Sequence, residues 1–133
     1  MSSSKIIKLG FVGFGTVGQS TFIALQRNLC EIKKQMGCEL EVVSIAVKDL
    51  EKKRDVNLSG VTLTNDPFEV VLDPNVDIVV ELIGGTEIAR ELVSAAIANG
   101  KHVVTANKAL IAIFGDEILL SARNEKTLIR FEA

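Results

Sequence analysis

Gly13-Phe14-Gly15-Thr16-Val17-Gly18 places three glycines at the spacing G-x-G-x-x-G. An apolar run over residues 6–12 precedes this segment, and a long stretch whose apolar residues recur at helical spacing follows it. That order predicts a strand, a glycine-rich turn and the start of a helix. In this setting the motif indicates a site for the pyrophosphate of a dinucleotide, and the alternative is a tight turn that binds no ligand.

Each glycine of the motif has its own expected role. Gly13 is expected to permit the tight turn off the strand, and Gly18 to let the helix pack closely on the strand. Gly15 has no Cβ, so a pyrophosphate can approach its backbone. The helix that follows would offer free N–H groups and a partial positive charge to the phosphates.

The bulk composition is that of an ordinary globular protein with one domain. The chain has 133 residues, of which 47% are apolar and 24% are charged, and its net charge is −2. This charge gives no electrostatic basis for nucleic-acid binding, and no apolar run approaches the roughly 18 residues of a membrane span. The first residues lack the apolar region of a signal peptide, so we expect a cytoplasmic protein that does not bind membranes.

The cysteines and the single histidine indicate no metal site. Cys30 and Cys38 are spaced neither as a redox pair nor as zinc ligands, so we expect two reduced thiols in or near a helix. His102 has no metal-binding residue at ligand spacing and lies at the start of a predicted strand. We therefore expect His102 to have a structural role.

Strand and helix patterns alternate along the whole chain. Strands are predicted over residues 6–12, 41–47, 61–64, 77–82, 102–105 and 128–132, and helices over residues 17–36, 67–72, 87–99 and 116–124. The alternation predicts an α/β fold, a Rossmann-like doubly wound, mostly parallel sheet with helices on both faces. Ligands of such sheets bind beyond the carboxyl ends of the strands, where the loops that begin at Gly13, Lys48, Ile83 and Thr105 would meet.

The loop after the second predicted strand bears on the choice of cofactor. An NAD site usually offers a carboxylate there to the ribose hydroxyls, whereas an NADP site offers basic residues to the 2′-phosphate. Here Lys48 comes first, Asp49 follows, and Lys52, Lys53 and Arg54 are close. This composition favours NADP, or tolerance of both cofactors, and the alternative is a solvated charged loop.

Two later loops complete the predicted site. Ile83-Gly84-Gly85-Thr86 follows the central strand, where the glycine pair would let the loop pass close to a cofactor and Thr86 could donate a hydrogen bond. A plain tight turn is the alternative. In the segment Thr105-Ala106-Asn107-Lys108, Asn107 is a good N-cap, and Lys108 in the first helical turn opposes the helix dipole. Lys108 is therefore either needed at the reactive end of the cofactor or an ordinary solvent-facing lysine.

Together these segments resemble homoserine dehydrogenase, in the same order and at plausible spacing. The resemblance rests on Gly13-Phe14-Gly15-Thr16-Val17-Gly18, Glu81-Leu82-Ile83-Gly84-Gly85, Val104-Thr105-Ala106-Asn107-Lys108-Ala109-Leu110 and Phe131-Glu132-Ala133. It implies reversible NAD(P)-dependent oxidation of L-homoserine to L-aspartate 4-semialdehyde, in the biosynthesis of threonine, methionine and isoleucine.

The resemblance also implies roles for individual residues. Phe14, Thr16 and Val17 would contact the cofactor through the turn, Lys48 would face the adenosine ribose, and Lys108 would lie beside the nicotinamide and the substrate. The predicted cofactor-binding residues are Gly13, Phe14, Gly15, Thr16, Val17, Gly18, Lys48, Gly84, Gly85, Thr86, Thr105, Asn107 and Lys108, and Lys108 is also the predicted catalytic residue. Glu132 matches the first member of a sodium site in the family, and no metal ligand is assigned within this chain.

The resemblance further implies how the domains are arranged. The family continues past Phe131-Glu132-Ala133 into a second domain that holds the substrate and forms a homodimer. We therefore expect residues 1–133 to be an isolated NAD(P)-binding domain without the substrate domain. The alternatives are the coenzyme domain of another NAD(P)-dependent oxidoreductase and a non-catalytic nucleotide-sensing module. A semialdehyde dehydrogenase would need a cysteine nucleophile, and neither cysteine is expected near the carboxyl edge.

Overall fold

The computed structural model describes residues 5–54 and 56–131, which contain six strands and four helices; a helix joins each consecutive pair of strands except the second and the third. In chain order the elements are β1 (Lys5–Val12), α1 (Thr16–Met36), β2 (Cys38–Ala46), β3 (Thr62–Thr64), α2 (Pro67–Val71), β4 (Ile78–Glu81), α3 (Glu87–Ala98), β5 (His102–Thr105), α4 (Lys108–Asn124) and β6 (Ile129–Phe131).

The strands form one sheet in the order β3-β2-β1-β4-β5-β6, and every neighbouring pair is parallel. The chain moves outwards from β1 to β3, returns to β4 beside β1, and then moves outwards in the opposite direction. This reversal is the hallmark of a doubly wound sheet, so the predicted fold class is confirmed. It also opens a crevice between the loops that follow β1 and β4, where such sheets bind their ligands.

Helices cover both faces of the sheet, as the sequence predicted. On one face, α1 buries Phe22 against Phe11 and Phe14, and the three rings meet edge to face with centroids 5.8–6.3 Å apart. On the other face, α2, α3 and α4 pack on the sheet. The buried core there includes Val70, Val71, Ala89, Leu92, Val93, Ala96, Ile97, Leu110, Ile118 and Ala122. Strands buried from both sides explain the near-continuous apolar runs of the sequence.

Two predicted boundaries differ from the structure by more than one residue. The last helix does not begin at Asp116 but runs without a break from Lys108 to Asn124, because Asn107 caps it and Gly115 is accommodated inside it. The second strand begins earlier than predicted, at Cys38, immediately after Gly37 ends α1 in the left-handed region.

The cysteines lie in α1 and β2, and the histidine lies at the start of β5. Cys30 is exposed on α1, and Cys38 is buried at the amino end of β2, so neither lies at the carboxyl edge. His102 accepts a hydrogen bond through Nδ1 from the Leu128 backbone N–H at 2.9 Å, which fits its expected structural role. Within residues 5–54 and 56–131, no helix is both long enough and apolar enough to cross a bilayer, and no group of three possible metal ligands occurs.

Candidate functional site

The turn after β1 is built on very close backbone contacts. Gly13 has a φ of +100°, and a Cβ at this position would lie 2.8 Å from the carbonyl carbon and oxygen of Leu82. A Cβ on Gly18 would lie 2.8 Å from the carbonyl oxygen of Gly13. Gly13 therefore lets the turn lie against the loop after β4, and Gly18 lets α1 lie against the turn itself rather than against the strand.

Gly15 differs from the other two glycines because it faces open space. A Cβ built on Gly15 would meet no atom within 4 Å among the described residues. Gly15 is also the N-cap of α1, and in the described part of the chain no side chain caps this helix end and no acidic residue occupies its first turn. The first N–H groups of a 21-residue helix thus point to an open surface, which is a site suited to an anion.

Three further residues of the motif are placed differently from one another. Phe14 is 5% exposed, and its ring packs against Phe22 in the core under α1. Thr16 and Val17 are exposed in the first turn of α1, and Val17 is 61% exposed. The side chains of Thr16 and Val17 are therefore free to contact a ligand at this end of the helix.

A cleft of about 530 Å³ opens beside Gly15, between the carboxyl ends of β1, β2 and β4. Its walls are formed by Gly13, Phe14, Gly15, Ala46, Val47, Lys48, Asp49, Lys52, Arg54, Asn65, Pro67, Leu82 and Ile83. A larger cavity of about 720 Å³ lies between α1 and residues 56–61, away from the carboxyl edge and from every predicted site residue. The smaller cleft is the candidate site, because the predicted phosphate-binding turn opens into it.

The basic loop after β2 is folded over this cleft. The Arg54 guanidinium donates to the backbone carbonyls of Lys52 at 2.9 Å and Asp49 at 2.7 Å. Its Nε is buried and has no hydrogen-bond partner among the described residues. Lys48 is exposed and lines the cleft with Lys52 and Arg54, so three basic residues and one acidic residue, Asp49, line this part of the cleft. This excess of basic over acidic side chains suits an anionic group such as a phosphate.

A hydrogen-bond network joins the loops after β4 and β5. Glu81 is fully buried, and its carboxylate accepts from the Thr105 hydroxyl at 2.6 Å and from the Ile83 backbone N–H at 2.9 Å. Thr105 accepts in turn from the Asn107 backbone N–H at 3.0 Å. The Asn107 side chain donates to the Gly85 carbonyl at 2.5 Å and accepts from the Leu110 N–H at 3.0 Å, which caps α4.

This network determines which of the predicted residues in the loops after β4 and β5 are exposed to the carboxyl edge of the sheet. Thr105 is itself fully buried, so we expect it to hold the loops together rather than to touch a cofactor with its side chain. Gly84 and Gly85 both have positive φ, near +76°, and are exposed. Thr86 is half-buried at the start of α3, where its side chain makes no capping bond within the described residues. Lys108 is exposed as the first residue of α4.

The predicted residues therefore fall into two neighbouring groups along the carboxyl edge. The first group lines the cleft or lies beside it in the first turn of α1: Gly13, Phe14, Gly15, Thr16, Val17, Gly18 and Lys48. The second group lies in and next to the loops after β4 and β5: Gly84, Gly85, Thr86, Thr105, Asn107 and Lys108. The contacts of Glu81 were not predicted from the sequence. Its signal was a lone charge at the end of the apolar run Ile78-Val79-Val80. Glu132 lies outside the described residues.

A doubly wound sheet with an open, glycine-capped helix end at its switch point defines a nucleotide-binding domain. The sequence model of the family described as "Homoserine dehydrogenase, NAD binding domain" matches residues 13–132. The chain therefore belongs to the NAD-binding domain family of homoserine dehydrogenase. Membership of this family supports the binding of NAD or NADP.

Individual relatives agree with this assignment. The chain is 49% identical to a homoserine dehydrogenase of Pseudomonas aeruginosa over 97% of its own length and 29% of that protein, and 42% identical to one of Bacillus subtilis over 97% and 30%. Its structure is similar to that of a homoserine dehydrogenase from Thiobacillus denitrificans, with a TM-score of 0.91 and 51% identity over 99% of this chain and 30% of that one. The chain thus spans about 30% of the length of the relatives that it matches.

Proposed function

We propose that this chain binds the nicotinamide cofactor of an NAD(P)-dependent homoserine dehydrogenase, which interconverts L-homoserine and L-aspartate 4-semialdehyde. The observation that carries the proposal is the start of α1 at Gly15, which no side chain of the described residues caps and which is open to a cleft at the switch point of the sheet. Family membership and the named relatives support the reaction. The whole protein would then act in the biosynthesis of threonine, methionine and isoleucine, as a cytoplasmic homodimer.

The residues of the cleft fit a dinucleotide. The N–H groups at the start of α1 would bind the pyrophosphate over Gly15, where no Cβ and no neighbouring atom of the described chain takes up the space. Lys48, with Lys52 and Arg54 beside it, would hold the 2′-phosphate of NADP. The exposed glycine pair Gly84-Gly85 and Thr86 would lie under the nicotinamide half.

Lys108 is the residue that we propose for the chemistry. The bound dinucleotide supplies the acceptor for the hydride that leaves the hydroxyl-bearing carbon. Oxidation of a hydroxyl also needs a group that takes its proton or stabilises the developing charge on its oxygen. Lys108 offers an exposed amine at the carboxyl edge, in the first turn of a helix that Asn107 caps. We propose that it holds the substrate oxygen and assists this proton transfer.

We further propose that residues 1–133 bind the cofactor without turning over homoserine. The groups that hold the amino and carboxylate ends of homoserine are proposed to belong to the remaining part of the enzyme, since the chain spans about 30% of its relatives. Positioning of the reacting groups can supply about 7–11 kcal/mol of a reaction barrier. Without it the hydroxyl carbon is not held near the nicotinamide.

The proposal is tested by titrating the purified chain with NADP⁺, NAD⁺ and ATP in a calorimeter, then adding homoserine and following the absorbance of the reduced cofactor. We expect binding of NADP⁺ or NAD⁺, weaker binding of ATP, and no homoserine-dependent reduction. Equal affinity for ATP would favour a general nucleotide sensor. Steady reduction would show that the substrate site lies within these residues.

A further inference from the structure

The position of Glu81 is unusual for a carboxylate. It is fully buried at the carboxyl end of β4, the strand beside the switch point of the sheet. Neither of the two salt bridges found in residues 5–54 and 56–131 involves it. Burial of a carboxylate without a cationic partner is costly, and within the described part of the chain hydrogen bonds from Thr105 and Ile83 offset that cost.

The hydrogen bonds of Glu81 lead directly to the start of α4. Glu81 and Thr105 are paired across β4 and β5, so the sheet register itself brings the carboxylate to the hydroxyl. The same hydroxyl accepts from the Asn107 N–H, and Asn107 binds the Gly85 carbonyl while capping the helix. The next residue along the chain is Lys108. One carboxylate thus fixes both the loop after β4 and the helix start that carries the lysine.

We infer that Glu81 is a positioning residue, which sets the spacing between the glycine-pair loop and Lys108 and thereby immobilises the nicotinamide half of the bound cofactor. The inference rests on the proposed function, because it takes the nicotinamide to lie at these two loops. Glu81 is itself inaccessible, so it acts through Thr105 and Asn107 rather than by contact with a ligand.

The chemistry of the side chain explains why a glutamate is suited to this position. Both carboxylate oxygens accept hydrogen bonds, one from a backbone N–H and one from a hydroxyl. The Glu81→Gln change keeps the shape but turns one acceptor into a donor, which leaves either the Ile83 N–H or the Thr105 hydroxyl without its present acceptor. A buried group that loses its partner disturbs the arrangement around it.

The test compares two ligands, one with the nicotinamide ring and one that lacks it but is otherwise the same. The wild-type chain, Glu81→Gln and Lys101→Met are titrated with NADPH and with 2′-phospho-ADP-ribose, and the nicotinamide fluorescence of NADPH is recorded. NADH and ADP-ribose form the same pair if the chain prefers NAD. Lys101 is the matched control: it is also buried, and it binds two backbone carbonyls, those of Asp73 and Val76, in the loop that leads into β4 at the opposite edge of the sheet.

We expect Glu81→Gln to raise the Kd of NADPH at least about fivefold and to reduce its fluorescence change, with less than about a twofold effect on 2′-phospho-ADP-ribose. Lys101→Met should leave both affinities and the fluorescence change as in the wild type. If Glu81→Gln does not fold, Thr105→Val takes its place and should likewise weaken the binding of NADPH more than that of 2′-phospho-ADP-ribose. Thr105→Ser, which keeps the hydroxyl, should behave as the wild type.

Several outcomes would overturn the inference. One is an equal effect of Glu81→Gln on both ligands, or no effect on either, and another is identical behaviour of Thr105→Val and Thr105→Ser. A wild-type chain that binds 2′-phospho-ADP-ribose but leaves the fluorescence of NADPH unchanged would also overturn it, while the proposed pyrophosphate site would stand. Failure of the wild type to bind either ligand would refute the proposed function itself.

Discussion

Gly18 lies so close to Gly13 that a Cβ on Gly18 would be 2.8 Å from the Gly13 carbonyl oxygen. Gly13 in turn has a φ of +100° and would bring a Cβ to 2.8 Å from the Leu82 backbone. Two glycines of the motif are therefore required by the packing of the chain on itself. Gly15 has no such contact among the described residues, so we propose that its lack of a side chain leaves room for the ligand.

This difference predicts that substitutions at Gly13 and Gly18 destabilise the fold more than a substitution at Gly15. Gly13→Ala and Gly18→Ala should each lower the free energy of unfolding by about 1–3 kcal/mol, because backbone atoms must move to admit the new methyl group. Gly15→Ala should cost less than either, since its methyl group enters open space. Urea unfolding of the three variants measures this order, and a Gly18→Ala variant as stable as Gly15→Ala would contradict it.

Lys48 should discriminate between the two cofactors. A charge-assisted contact to the 2′-phosphate contributes about 1.5–3 kcal/mol, so Lys48→Ala should weaken NADP⁺ roughly tenfold to a hundredfold and NAD⁺ little. Lys53→Ala is the control, because Lys53 is exposed in the same loop but does not line the cleft. The measurement is calorimetric titration with both cofactors. Equal weakening of both would show that Lys48 does not bind the 2′-phosphate.

Lys108 should affect turnover far more than cofactor binding. For this test, residues 5–131 replace the matching domain of the Thiobacillus denitrificans enzyme, which is 51% identical to this chain. Lys108→Ala should lower kcat by about 10²–10⁴-fold, the usual contribution of a positioned acid–base group, and change the Kd of NADPH little. Lys34→Ala, an exposed lysine on α1, is the control. Normal turnover of Lys108→Ala would leave Lys108 as an ordinary helix-start lysine.

Lys101 gives a prediction about pH. Burial lowers the pKa of its ammonium group below the usual 10.5, and Asp73 and Asp77 oppose this shift only partly. Between the lowered pKa and 10.5, the unfolded chain binds more protons than the folded chain, so stability due to Lys101 rises with pH. The free energy of unfolding of the wild type, minus that of Lys101→Met, should therefore increase as the pH rises towards 10.5. A difference that is constant or falls with pH would contradict this assignment.

The sequence predicted those features that depend on local pattern. The glycine spacing and the apolar run before it were enough to place β1, the turn and α1, and alternation of the later segments was enough for a doubly wound sheet. The network of Glu81 was not predictable in this way. It requires the register that pairs Glu81 with Thr105, two residues 24 positions apart in the chain. The unbroken course of α4 through Gly115 likewise depends on its packing.

The central claim is that a dinucleotide binds with its pyrophosphate over Gly15, and titration of Gly15→Val with NADP⁺ tests it most directly. The valine side chain enters the space proposed for the phosphates, while the negative φ of −77° does not itself require glycine. Ser20→Val, at an exposed position one turn further along α1, is the control. We predict that Gly15→Val stays folded and loses at least about a hundredfold in affinity, which corresponds to about 2.7 kcal/mol, while Ser20→Val binds as the wild type. A folded Gly15→Val variant with wild-type affinity for NADP⁺ would contradict the account.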